Sequence, residues 1–215
     1  MRFKSFVFCI VIFLLTSLSC SPGLRNIPSA SAKFIEISLR TSSGAKIEGG
    51  FVGGKYKKAV ILIPEMSLPK ESWYEFAKVL HEFGFSVLLI EGNAISAALN
   101  FLINKGVEEI NLIGAGLGGE VILDALQKPI SRRIKRMVVI SPYEPVHVNN
   151  DFVRKFFVMS KNDWQVPIDD VVAAYNNTAE PKQMKIYPGS AHGQSFFESK
   201  HSKELVGIIL NFLTT

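Results

Sequence analysis

Two spacings of apolar residues alternate along the chain from Lys33 onward. Residues 34–40 and 46–52 have strand composition and are joined by the turn Ser42-Ser43-Gly44. Gly53-Gly54 then redirects the chain into Ala59-Val60-Ile61-Leu62-Ile63, a run apolar at every position, as suits a strand buried on both faces. Between 69 and 83, Trp73, Phe76, Ala77 and Leu80 recur at helical spacing, and Gly84 ends that helix before a strand at 86–90. Ala97, Ala98, Phe101 and Leu102 mark a second helix, closed by Gly106. A strand at 110–113, a helix after the glycine-rich turn, strands at 137–140, 155–159 and 183–187, and helices at 171–175 and 203–213 complete the order. The predicted fold class is α/β: an initial hairpin, then a doubly wound, mostly parallel sheet with helices on both faces and right-handed crossovers.

Ligands of such sheets gather at the carboxyl ends of the strands. The residues standing there are Pro64-Glu65-Met66, Glu91, Gly114 to Gly118, Ser141-Pro142, Asp163 and His192. The glycine-rich turn has two readings. Gly114, Gly116 and Gly119 fit the Gly-x-Gly-x-x-Gly fingerprint of a dinucleotide site. Gly114, Gly116 and Gly118 fit Gly-x-Nuc-x-Gly, a nucleophile elbow whose nucleophile position holds glycine. A dinucleotide domain carries its fingerprint after the first strand and an acid at the tip of the next. Here several strands precede the turn, and the next one ends at Ser141-Pro142. The elbow instead demands an acid and then a histidine after later strands, and Asp163 in SKNDWQVP and His192 in GSAHG stand in that order.

With the motifs PEMS, GAGLGG, SKNDWQVP and GSAHG, the chain from about Lys33 to its C-terminus resembles the alpha/beta-hydrolase family, and within it the dienelactone hydrolase branch. The resemblance implies a minimal fold without a cap domain. It also implies catalytic places for Glu65, Asp163 and His192 and an oxyanion hole from the amides of Met66 and Leu117. Gly116 departs from the pattern. Glycine keeps the turn at little conformational cost but has no side chain to attack with. The expectation is a binding or scaffold protein on a hydrolase fold. The alternative is slow hydrolysis of an ester or lactone by water activated at His192 and Asp163. Dinucleotide binding through Gly114, Gly116 and Gly119 is the remote alternative, and no cofactor is otherwise expected.

Each of these residues also has a structural reading. Asp163 in an Asn-Asp turn satisfies loop amides, His192 makes a structural hydrogen bond, and Glu65 pairs with a nearby base. Ser67, Ser141 and Ser190 have no spacing that marks a displaced nucleophile. His81, His147 and His201 have no partner that the sequence names, and no metal-ligand spacing is present.

Ahead of the domain, Arg2 and Lys4 precede an apolar run from Phe6 to Leu15 and the ending Ser17-Leu18-Ser19-Cys20. That layout reads as a signal peptide over 1–19, with ordinary secretion and an uncleaved anchor as alternatives. The ending resembles a bacterial lipobox, with Ser17 where leucine is usual. It implies a lipidated Cys20 followed by a tether over 20–32, with the hydrolase-like domain at 33–215 held by membrane lipid in the cell envelope, outside the cytoplasm. Cys9 and Cys20 are the only cysteines, so a chain cleaved at Cys20 forms no internal disulfide. The net charge of +5, two units of it on Arg2 and Lys4, gives no case for nucleic acid. Arg132, Arg133, Lys135 and Arg136 read as a solvated loop before a strand, near anionic headgroups if near anything. The expected ligand is a small ester, lactone or carboxylate in a shallow, open pocket.

Overall fold

The edge of the sheet is the predicted hairpin: β1 (Ile35–Arg40) and β2 (Lys46–Val52) pair antiparallel, with Leu39 opposite Ile47. The computed structural model describes residues 33–215 except Ser42 and Met66. The signal peptide, Cys20 and the tether predicted from the sequence lie outside the described residues. The remaining strands are β3 (Lys58–Ile63), β4 (Ser86–Ile90), β5 (Glu109–Ala115), β6 (Ile134–Ile140), β7 (Arg154–Ser160) and β8 (Lys182–Tyr187). Their spatial order is β1-β2-β4-β3-β5-β6-β7-β8, parallel from β4 to β8. β2 therefore pairs with β4, not with the strand that follows it in sequence. Both β3, buried at five of its six positions, and β4, buried at all five, take inner places, while mostly exposed β1 accepts the edge.

Alternate residues of each inner strand enter two cores. Ile61 and Ile63 pack with residues of α2 (Ile95–Asn104), α3 (Leu117–Leu126) and α4 (Ile168–Asn177), including Leu102, Leu123 and Val171. Val60 and Leu62 pack on the other face with α1 (Tyr74–Glu82) and α5 (Ser202–Thr214), through Leu80 and Ile209. The two-face period of a strand produces this division.

Three local expectations change. The helix predicted over 69–83 begins as a 3-10 turn, Lys70–Trp73, whose Ser72 hydroxyl bonds back to the Pro69 carbonyl. A second 3-10 segment, Gly193–Glu198, follows His192 and has no apolar period to announce it. β6 starts earlier than predicted, so Lys135 and Arg136 lie within it and do not form a solvated loop. Arg136 is drawn in by an ion pair with Glu109 at 2.6 Å, and Arg133 donates to the Val107 carbonyl. Among the described residues no helix is long and apolar enough to cross a membrane.

Candidate active site

Four strand ends converge. Glu65 follows β3, Gly116 follows β5, Asp163 follows β7 and His192 follows β8. His192 Nδ1 lies 2.9 Å from Asp163 Oδ2 and 3.1 Å from Oδ1, and its Nε2 lies 3.5 Å from Glu65 Oε2. Asp163 Oδ1 also accepts the amides of Gln165 and Val166, so its structural reading and its histidine pairing both hold. The Tyr143 ring packs against the imidazole at 4.7 Å.

Gly116 stands at φ 51° and ψ −121°, a conformation that a side-chain-bearing residue adopts only under strain. Its neighbours separate the two readings of the turn. A Cβ on Gly114 would lie 2.3 Å from the Gly118 carbonyl oxygen, and one on Gly118 would lie 2.3 Å from that of Ile63. A Cβ on Gly119 meets nothing nearer than 3.5 Å. The glycines that the packing requires are thus those of the elbow spacing.

No protein-family model matches the chain, and no curated protein matches it in sequence. Solved structures do match. An esterase of Pyrococcus furiosus aligns over 85% of this chain and 91% of its own, with TM-score 0.72 and 15% identity. An alpha/beta hydrolase of Penicillium sp. sh18, GrgF, aligns over 84% and 98%, with TM-score 0.71 and 14% identity. The esterase domain of a Rhodothermus marinus protein aligns over 84% and 96%, with TM-score 0.62 and 15% identity. The fold is that of the alpha/beta hydrolases.

On an alpha/beta-hydrolase fold the elbow side chain stands beside the histidine. Here another residue occupies that place. A Cβ built on Gly116 would lie 1.4 Å from Glu65 Oε2, about one carbon–oxygen bond length. The carboxylate of Glu65 therefore takes up the space that a side chain at position 116 would need. Its second oxygen, Oε1, accepts the Leu117 amide at 3.4 Å, taking up the donor expected for the oxyanion hole. Met66, expected as the other donor, lies outside the described residues. Gly193, at φ 52°, also makes room: a Cβ there would come to 3.0 Å from Oε2.

Gln194 fixes this loop, and the sequence reading missed it. Its side-chain oxygen accepts the Glu65 amide and its nitrogen donates to Ser72, both at 2.9 Å. Its only signal in the sequence is its place two residues after His192. Glu91 accepts the Lys70 amide and lines a cleft of about 370 Å³ with Pro64, Glu65, Leu68, Leu117 and Val121. Of the serines, Ser67 borders this cleft, Ser190 is exposed, and Ser141 is buried at φ 47° against Asp163. Among the described residues none of the three bonds to His192. His81 and His201 bond to backbone carbonyls. No group of three or more His, Cys, Asp and Glu side chains among the described residues is arranged to hold a metal ion.

Burial alone would lower the His192 pKa, but the hydrogen bond to Asp163 and the facing carboxylate of Glu65 outweigh it and raise the pKa to about 9. Burial would raise that of Asp163, but hydrogen bonds from His192 and the Gln165 amide, with Ser141 beside it, hold it low. At neutral pH the imidazolium thus donates from Nδ1 to Asp163 and faces Glu65 through Nε2.

A group whose folded pKa exceeds its unfolded value of 6.5 stabilises fully below that value and loses the contribution as pH rises through about 9. At roughly 1.4 kcal/mol per pH unit the loss is about 3 kcal/mol. Asp163 acts oppositely, its contribution being lost in acid below its ordinary value of 3.8. Wild-type Tm should therefore fall by about 6–12 °C more than that of His192→Gln between about pH 6 and pH 10. Equal falls in the two proteins would show that His192 is uncharged in the fold.

Proposed function

We propose that this protein is an alpha/beta-hydrolase-fold protein, related within that fold to the dienelactone hydrolases, that has given up acyl transfer and serves as a binding or scaffold protein. A lipid on Cys20 anchors it in the bacterial cell envelope, a reading supported by the charged start, the apolar run and the lipobox-like ending. One observation carries the functional reading: Glu65 Oε2 fills the space of the missing elbow side chain.

Acyl transfer needs a nucleophile, a histidine able to take its proton, and a donor site for the oxyanion. Here the residue at the nucleophile position is glycine, and His192 already carries its proton at neutral pH. The Leu117 amide faces an anion. An external oxyanion roughly 4 Å from the Glu65 carboxylate would cost about 4 kcal/mol at an effective dielectric constant near 20. That corresponds to about a thousandfold in rate. The cleft beside Leu117 suits a small neutral ester or lactone held without turnover. A carboxylate would compete with Glu65 for the same amide.

The experiment is hydrolysis of p-nitrophenyl acetate at neutral pH by wild type and His192→Ala, with ligand binding to both followed by calorimetry. Equal rates are expected. A wild type faster by about tenfold or more would restore the reading in which His192 and Asp163 activate water for ester or lactone hydrolysis.

A further inference from the structure

We propose that the end of the sheet opposite the cleft, where the parallel strands begin, is a membrane-docking face that lies on the surface of an anionic phospholipid bilayer and leaves the cleft open to water. This rests on the reading that Cys20 carries a lipid, and adds to it which way the anchored domain faces.

Large apolar side chains stand exposed at this end. Ile35 at the start of β1 is 51% exposed, and Phe83, between α1 and β4, is 55% exposed. Tyr56, between β2 and β3, is exposed as well, its ring held edge-on against His81 at 5.3 Å. Because β1 runs antiparallel to β2, and β2 to β4, the start of β1 and the turn after β2 lie with the starts of the parallel strands. Lys33, Ile35, Tyr56 and Lys105 border one depression of about 360 Å³ there. An aliphatic side chain, aromatic rings and lysines in one patch are the make-up of a surface that sits at the headgroup level of a bilayer.

Charge gives the sign of the partner. Glu108 and Glu109, where β5 begins, are paired with Lys57 and Lys58 at 3.0 and 3.7 Å. Lys33, Lys55 and Lys105 are exposed and make no ion pair among the described residues, and Glu82, beside Phe83, offsets one of them. The opposite end also exposes an apolar residue, Trp164, at 81%. Its surroundings are acidic: Glu91, Glu144, Asp169 and Asp170 are exposed beyond the ends of β4, β6 and β7, against Lys161. An anionic surface attracts the first end and repels the second.

The point at which the chain enters the domain agrees. A tether over 20–32 reaches at most about 45 Å when fully extended. It joins the domain at Lys33, inside the patch. A lipid on Cys20 thus keeps the patch, and not the cleft, nearest to the bilayer.

The test uses the domain from Lys33 to Thr215, which holds all eight strands and both cores and so folds without the residues before it. At low salt it should bind vesicles of equal parts phosphatidylglycerol and phosphatidylcholine about tenfold or more tighter than vesicles of phosphatidylcholine alone. Lys33→Gln, Lys55→Gln and Lys105→Gln combined should weaken binding by about a hundredfold, at roughly fivefold per lysine. Trp73, 1% exposed, and Trp164 are the only tryptophans, so fluorescence reports which end meets the lipid. Brominated phosphatidylcholine in the bound vesicles should leave wild-type emission unchanged and quench that of Tyr56→Trp, with Phe83→Trp as the second probe if the first does not fold. No preference for the anionic vesicles, equal binding by the lysine variant, or no quenching of a folded probe overturns the proposal. Quenching of wild-type emission also overturns it, by setting the Trp164 end on the bilayer. None of these outcomes depends on Cys20; a full-length chain that takes up no radiolabelled palmitate in bacteria would instead sink the anchor reading.

Discussion

Hydrolysis of p-nitrophenyl acetate should rise by about a hundredfold or more over wild type when Gly116→Ser and Glu65→Ala are combined. Neither change should suffice alone. The backbone at position 116 already has the elbow conformation, φ 51° and ψ −121°, and His192 is already oriented by Asp163. Gly116→Ser by itself sets a Cβ 1.4 Å from Glu65 Oε2, so the carboxylate must leave or the elbow must deform. Glu65→Ala by itself frees the Leu117 amide and removes one of the carboxylates raising the His192 pKa, but supplies no hydroxyl. The pair restores the nucleophile, a histidine more ready to accept its proton, and one amide donor, which alone is worth about 10²–10³ in rate. The double variant should also be less stable, since a side chain at this φ and ψ costs about 1–3 kcal/mol. Steady-state rates of wild type, both single variants and the double variant form the measurement. A double variant no faster than Glu65→Ala would mean that residue 116 does not stand at a nucleophile's place.

The second large effect concerns the turn itself. Gly118→Ala should destabilise the protein by about 3 kcal/mol or more in urea unfolding, while Gly119→Ala should range from neutral to about 1 kcal/mol stabilising. A Cβ on Gly118 meets the backbone oxygens of Ile63 and Pro64 at 2.3 and 2.6 Å, and two carbonyls at the end of an inner strand cannot withdraw. Gly119 has ordinary contacts and lies in the first turn of α3, where alanine is the better helix former. A dinucleotide fingerprint would need its third glycine, Gly119, for close packing of helix on strand. The reverse order of these two stabilities would therefore return that reading to consideration.

Much of the fold was legible in the sequence because its inner strands are apolar at nearly every position. Strand 86–90 was placed to the residue, and most other strands to within a residue or two. Their ends failed where polar residues enter the sheet, as at Lys135 and Arg136, since an ion pair with Glu109 leaves no mark in local spacing. The insertion of β4 between β2 and β3 was not legible either. β3 and β4 are both apolar on two faces, so local composition does not rank them, and their order depends on all eight strands at once.

The site divides in the same way. Glu65, Gly116, Asp163 and His192 were each legible from a position after a strand and from their order along the chain. Their sequence separations gave no distances, and the role of Gln194 arose only from a contact across 129 residues. By itself the sequence determined that residue 116 has no side chain and that an acid and a histidine follow in elbow order, because those are matters of residue identity. Only the tertiary structure decided what fills the space that glycine leaves. Convergence of the β3 and β5 ends brings a carboxylate to within a bond length of the absent Cβ, and His192 across from it keeps that charge in place.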